Sequence, residues 1–265
     1  MSVEVSELFR VDGKVAVVTG SGQGIGRGIA IGLAQAGADV VINARREADV
    51  AETVRGVEAC GRRALAMVGD IRGDTSEKIA AETVAKLGAL DIWVSNVGGN
   101  DEKGTLELLD TPDDHFRDQL ELNLTTAFQG AKAAASRMER GGAIINIASG
   151  AGTRASPRTG PYAAAKAGML NLTETLAAEL APKGIRVNAV SPGPVPTEAF
   201  VEMLEDPDRL KEYADAVPLG RFGTPQDIAA AVVFFASSAT AWVTGQNLLV
   251  AGGRTHRTLA YGSDH

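Results

Sequence analysis

Cysteine is almost missing from this chain. Cys60 stands alone, so no internal disulfide can form and a disulfide-stapled secreted fold is excluded. Histidine is nearly as scarce: His115, His256 and His265 are scattered, and with Cys60 they give no spacing that would hold a metal ion. Long apolar runs are absent too. Nowhere do about 18 apolar residues follow one another, and the opening MSVEVSELFRVDGK mixes acids and polar groups where a secretory signal needs a continuous apolar stretch. Positive charge is in deficit, 26 Lys and Arg against 33 Asp and Glu, which argues against a surface made to bind a phosphate backbone. The expectation is a cytoplasmic protein with no membrane span, no metal and no nucleic-acid partner.

What is present is a chain of 265 residues, 45% of them apolar, enough for one sizeable core. No repeat and no Gly/Ser-rich linker divides it, so residues 1–265 are read as a single domain. Short β-branched runs alternate with Ala-rich helical patterns: 15–19, 25–36, 40–42, 48–59, 64–68, 75–87 and 92–95, then a long helix over 112–138, a strand at 143–148, a helix over 162–181 and a strand at 185–190. Strands that are apolar without alternation are buried on both faces. The prediction is therefore an α/β doubly wound parallel sheet of Rossmann type, about seven strands with helices on both sides. Four prolines break up the segment near 194–223, a candidate lid, before a helix over 225–237 and a last strand near 247–250. Thr111-Pro112 and Thr224-Pro225, each followed by acids, read as N-caps, which assigns Asp113, Asp114 and His115 to capping.

Directly after the first strand stands Thr19-Gly20-Ser21-Gly22-Gln23-Gly24-Ile25-Gly26. A strand feeding a glycine-rich turn and a helix N-terminus offers free backbone N–H groups and a positive dipole end to a pyrophosphate, and the missing Cβ atoms admit it closely. Gly20, Ser21, Gln23, Gly24, Ile25 and Gly26 are the candidate cradle. In this fold an acid at the end of the second strand normally binds the adenosine ribose. Here the strand closes on Ala44-Arg45-Arg46. With no carboxylate to repel a 2′-phosphate and two guanidinium groups to bind one, NADP(H) is expected over NAD(H).

Tyr162 and Lys166 lie four residues apart, on one helix face. A free phenol has a pKa of about 10 and is a poor base near neutrality. Bringing it to about 7 takes roughly 4 kcal/mol of differential interaction, which Lys166 and an oxidised nicotinamide would have to supply together. Ser149 ends the strand before this helix, at the carboxyl edge where open α/β sheets bind ligands.

With Thr19 to Gly26, Asn96-Val97-Gly98, Asn123, Ser149, Tyr162, Lys166 and Pro192-Gly193-Pro194-Val195-Pro196-Thr197 in this order, the chain resembles the short-chain dehydrogenase/reductase family over roughly residues 11 to 253. That resemblance implies an oxidoreductase acting on a small carbonyl or secondary alcohol. Tyr162 would be the general acid or base, Ser149 would hold the substrate oxygen, Lys166 would lower the phenol pKa and bind the nicotinamide ribose, and Asn123 would hold a water linking Lys166 to solvent. It also implies that Asp70 and Ile71 face the adenine, Asn96 and Gly98 the ribose side, and Pro192, Gly193, Val195 and Thr197 the nicotinamide end. A homotetramer formed through the two long helices is expected on the same ground, and a cytoplasmic setting favours carbonyl reduction.

The sequence departs from the family pattern at Ser95-Asn96-Val97-Gly98 and at Ala251, and its tail beyond Gly253 matches nothing in it. Rival readings are a serine hydrolase, which fails because Ile147 stands where a nucleophile elbow needs glycine; a dinucleotide-binding regulator without chemistry; and an NAD-dependent enzyme of the same class. Phe200, Met203, Leu204, Tyr213, Leu219 and Phe222 suit either a hydrophobic substrate or packing of the lid itself. Arg154 and Arg158, between Ser149 and Tyr162, are either solvated or in contact with a substrate anion.

Overall fold

The structure, a computed structural model, describes residues 4–100, 106–196 and 207–253. Seven strands form one parallel sheet: β1 Val15–Thr19, β2 Asp39–Ala44, β3 Ala64–Val68, β4 Ile92–Ser95, β5 Gly142–Ile147, β6 Ile185–Pro192 and β7 Asn247–Val250, in the spatial order β3-β2-β1-β4-β5-β6-β7. Every residue of β1 and β4 is buried, which is why these strands read as unbroken apolar runs.

Alternate residues of each strand feed two cores. On one face Val18, Val40, Ile42 and Ile145 pack with Ile29 and Leu33 of α1 (Gly24–Gln35), Val50 and Val57 of α2 (Glu47–Ala59), and Ile228 and Val232 near the C-terminus. On the other face Val17, Val41 and Ile144 pack with Ile79 of α3 (Thr75–Leu87) and with two later helices. Helices on both faces of a parallel sheet are the doubly wound arrangement the strand pattern implied. The chain runs outward from β1 to β3 and then returns to pair β4 with β1. The crevice at that reversal, beyond the carboxyl ends of β1 and β4, is where such sheets bind ligands.

The long helix expected over 112–138 is instead three pieces: α4 Asp113–Leu120, a π-helical turn Glu121–Thr125, and α5 Thr126–Ala135. The wide turn rotates Asn123 to full burial, where its side-chain amide is bonded to the loop after β4. No periodicity argument shows this, because a π-turn inserts one residue without changing composition. Thr111 is also not the cap that was expected. The helix starts one residue later, and the Thr111 hydroxyl donates to Glu107 O instead. His115 is buried rather than at a solvated cap.

The helix α6 spans Gly160–Leu180, α7 Pro207–Asp215 and α8 Pro225–Ala236. At α8 the expected cap is present in full: Thr224 Oγ1 accepts from Asp227 N, and the Asp227 carboxylate accepts from Thr224 N. Of the segment read as a lid, 197–206 lies outside the described residues, and so do Phe200, Met203 and Leu204 and the tail beyond Gly253.

Candidate active site

β1 delivers the chain to the glycine-rich turn, and the turn is closed by backbone, not side-chain bulk. Gly20 has φ +64, a left-handed conformation that disfavours any residue with a Cβ. A Cβ on Gly26 would lie 2.2 Å from Gly20 O and 2.6 Å from Asn96 Nδ2, so α1 starts as close to the strand as the backbone allows. The first intrahelical bond is Arg27 N to Gln23 O, which leaves the N–H groups of Gly24, Ile25 and Gly26 ahead of it without a helical carbonyl. No side chain caps this end. Such an arrangement can receive an anion, because unpaired N–H groups and the positive end of the helix dipole meet there.

Two of the cradle residues are committed elsewhere. Ser21 is fully buried; its hydroxyl donates to Val18 O and accepts from Asn43 N, so it builds the turn and presents no side chain to a ligand. Gln23 is exposed and accepts a hydrogen bond from Arg46 at 2.7 Å, while Asp49 holds the same guanidinium. Arg46 is thus fastened across the mouth of the cradle, and Arg45 beside it is exposed at the end of β2.

Asn96, expected on the ribose side, uses its amide nitrogen within the protein: Nδ2 donates to Thr19 O and Gly20 O, and its backbone N–H donates to Thr19 Oγ1. Thr19, which also donates to Val94 O, therefore ties the ends of β1 and β4 into one ledge. The motif contained Thr19, but its partner across the sheet is set by topology, which the sequence order conceals.

The next two glycines carry the ledge toward the reacting end. Asn123 Oδ1 accepts from Gly99 N at 2.8 Å, and Nδ2 donates to Gly99 O at 3.1 Å. Nδ2 also donates to Gln119 Oε1 at 3.0 Å; Gln119 is a buried side chain that sequence reasoning missed. A signal was there, a polar residue one turn before Asn123 in an otherwise inward-facing row. A Cβ on Gly98 would fall 2.5 Å from Asn123 Oδ1 and 2.9 Å from Lys166 Nζ, so glycine at 98 is what lets Asn123 and Lys166 meet this loop.

Ser149 follows β5 and opens a short turn, Gly150–Thr153, accepting from Ala151 N at 3.1 Å. Tyr162 and Lys166 stand on the first turns of α6, and the ammonium lies 5.7 Å from the centre of the Tyr162 ring. Lys166 Nζ donates to Ile147 O at 2.8 Å, which pins it beneath the strand end. Ser149, Tyr162 and Lys166 are thus brought together at the carboxyl edge of the sheet, with Ser149 and Tyr162 lining one cavity.

The electrostatics differ from the expectation that Lys166 lowers the phenol. Burial pushes Tyr162 above its ordinary value, and the neighbouring Ser149 hydroxyl offsets this only in part. Burial likewise pulls Lys166 down to about 7. The protein's own groups leave both residues close to neutrality, because desolvation disfavours either charge. This has a measurable consequence. Between about 7 and the ordinary lysine value of 10.5 the unfolded chain holds a proton on Lys166 that the folded chain has released, so stability rises with pH across that interval. In calorimetry of the cofactor-free protein, the melting temperature is expected to climb more between about pH 7 and about pH 9 in wild type than in Lys166→Met. Equal slopes would contradict the buried position of this amine.

Around this centre, Asp70 is exposed and accepts from Arg72 N, whereas the Ile71 side chain is in the core, leaving its backbone alone to face a ligand. Pro192 ends β6, and Gly193 N donates to Val250 O; Val195 packs on the core, and Thr197 lies outside the described residues. A cavity of about 230 Å³ opens beside Ser149 and Tyr162. No group of His, Cys, Asp and Glu suited to a metal ion occurs among the described residues, and no helix there is long and apolar enough to cross a membrane.

Comparison with known proteins follows the same outline. Residues 20–255 match the family model described as enoyl-(acyl carrier protein) reductase. The 2-dehydro-3-deoxy-D-gluconate 5-dehydrogenase of Escherichia coli K12 is 39% identical over 254 residues, 94% of this chain and 98% of the relative. L-rhamnose 1-dehydrogenase (NAD(P)(+)) of Sphingomonas sp. SKA58 is 39% identical over 249 residues, 92% of this chain and 96% of the relative. A solved structure of 7α-hydroxysteroid dehydrogenase, complexed with NADH and 7-oxo glycochenodeoxycholic acid, is similar with a TM-score of 0.89 at 35% identity, covering 98% of this chain and 100% of that one.

Proposed function

Because this chain belongs to the short-chain dehydrogenase/reductase family, whose members are oxidoreductases, we propose that it moves hydride between NADP(H) and a carbonyl or secondary alcohol held at Ser149 and Tyr162. The observation that carries this reading is the convergence of Ser149, Tyr162 and Lys166 at the sheet edge, next to a glycine turn packed so closely that a side chain at position 26 would collide with Gly20 and Asn96.

The residues present fit a dinucleotide. The N–H groups at the start of α1 would bind its pyrophosphate, the Gly98–Gly99 ledge would lie along its nicotinamide ribose, and Lys166 would reach the ribose hydroxyls. When bound, the dinucleotide supplies or takes the hydride and, oxidised, adds a positive charge that favours the phenolate. Ser149 donates to the substrate oxygen and fixes it against Tyr162. In the reducing direction Tyr162 Oη gives that oxygen its proton; in the oxidising direction it removes one. Lys166, poised near neutrality, takes up or releases a proton as the charge beside it changes. Asn123 acts through the ledge it bonds, and Gln119 holds its amide in that orientation.

The experiment is a screen of carbonyls and alcohols with each cofactor, following the absorbance of the reduced nicotinamide. No turnover with any pair would count against the reading and favour a binding protein without chemistry.

NADP(H) is preferred over NAD(H) on this chain's own residues, since Ala44 carries no charge and the exposed Arg45 follows it, while Arg46 is held by Gln23 and Asp49. Arg45→Ala is expected to lower the ratio of kcat/KM for the phosphorylated over the unphosphorylated cofactor about tenfold or more, the loss of one charge-assisted hydrogen bond. An unchanged ratio would remove Arg45 from the cofactor site.

A further inference from the structure

We infer that Arg221 is a positioning residue for the dinucleotide. By clamping Asp227 it fixes the start of α8, and the start of α8 holds the turn beside the reacting hydroxyls in place relative to the glycine turn that would take the pyrophosphate. This rests on the proposed function and deepens it.

A dinucleotide that reacts here has to satisfy two places at once. Its pyrophosphate belongs at the N–H groups that open α1, and its reacting ring has to reach the cavity beside Ser149 and Tyr162. That cavity is also lined by Pro192, Gly193 and Pro194, the end of β6 and the turn after it. The chain entering α8 touches both places. Gly223 N donates to Pro194 O at 3.0 Å, and a Cβ on Gly223 would lie 3.1 Å from Val195 Cγ2, so the turn after β6 rests on the residues leading into α8. On the other side, a Cβ on Gly28 would lie 2.5 Å from Pro225 Cβ and 3.1 Å from Pro225 O, and one on Gly32 would lie 2.9 Å from Ala229 Cβ. Helices α1 and α8 therefore meet at backbone distance one turn beyond the cradle, a contact with little play.

Arg221 ties this junction together. Its Nη1 and Nη2 donate to the two carboxylate oxygens of Asp227 at 2.7 and 3.0 Å, and Nη1 donates to Phe222 O at 2.9 Å. The Asp227 carboxylate accepts in turn from the N–H and the hydroxyl of Thr224. One guanidinium thus fixes the stretch between the Gly223 bond to Pro194 and the Pro225 contact with Gly28. An exposed ion pair alone contributes little, but a fork held by two oxygens also sets an orientation. Both side chains are partly exposed, so removing them loosens the junction and leaves the two cores intact. The expected cost falls on a ligand that spans both places, because its two ends are then no longer held in register before it binds.

The test compares two ligands by calorimetry: NADPH, and 2′-phospho-ADP-ribose, which has the same adenosine, phosphates and second ribose but no nicotinamide. Arg221→Ala is expected to weaken NADPH about tenfold and the fragment by less than about twofold, with Arg221→Lys, a point charge without the fork, restoring part of the loss. Asp227→Asn, which keeps an oxygen for Thr224 N and loses the charge, should show the same selective loss, and adding Arg221→Ala to it should cost little more. A general structural defect would weaken both ligands together. Equal losses for the two ligands, or none, would overturn the inference, while turnover by wild type would leave the proposed reaction standing. A wild-type protein that binds neither ligand would overturn the reading of the site and this inference with it. Selective loss of NADPH in a protein that turns over no carbonyl or alcohol would support the inference and count against the proposed reaction.

Discussion

Replacing Tyr162 by Phe is expected to lower kcat/KM by about a thousandfold, or roughly 4 kcal/mol of transition-state stabilisation, with the dissociation constant of the cofactor little changed. The ring stays, and with it the contact to the Lys166 ammonium 5.7 Å from its centre; only the hydroxyl, on the cavity that Ser149 also lines, is lost. The cradle is formed by α1 and the ledge after β4, which the substitution does not touch. The change therefore separates proton transfer from cofactor binding. The check is steady-state kinetics together with a fluorescence titration of the reduced cofactor. A residual activity within tenfold of wild type would mean that another group moves the proton.

The second large effect is expected at Gly26. A methyl group there would have to occupy space 2.2 Å from Gly20 O and 2.6 Å from Asn96 Nδ2. Neither neighbour can give way cheaply: Gly20 O is backbone in a positive-φ turn, and the Asn96 amide is bonded to Thr19 O and Gly20 O. Relief requires α1 to move away from β1, which pulls its N–H groups off the anion position and disturbs the packing of Ile29 and Leu33 beneath. Gly26→Ala should weaken cofactor binding about 100-fold and destabilise the fold by about 1–3 kcal/mol, as overpacking of a closed contact does. Thermal melts with and without cofactor read both effects. Wild-type affinity in this variant would show that the turn is looser than its geometry implies.

Much of the fold was legible because it is carried by composition along single segments. β1 and β4 are apolar throughout since helices cover both faces of the sheet, and the Thr224 and Asp227 cap is written in adjacent residues. The same holds for Tyr162 and Lys166, which one helix turn places side by side. What was not legible involves partners distant in sequence or changes of geometry without change of composition. The π-turn at 121–125 is one such change, and it is what buries Asn123. Ser21 and Asn96 sit where the motif puts them, but their side chains are consumed by Asn43, Thr19 and Gly20 across the sheet. Thr111 failed as a cap because its hydroxyl found Glu107 O before the helix began. The direction of the Tyr162 shift was also hidden, because burial acts on both members of the pair and only the folded environment reveals it.

The central claim, that the Tyr162 hydroxyl exchanges a proton with the substrate oxygen, is tested most directly by the pH dependence of kcat/KM for alcohol oxidation in wild type and Lys166→Met. In wild type the account predicts a rate that rises with pH and levels off below the value to which burial alone raises the phenol, because the oxidised cofactor and a protonated Lys166 would add positive charge beside Tyr162. In Lys166→Met the ascending limb should move upward by more than about one pH unit. A profile that is flat, or that is identical in the two proteins, would contradict it.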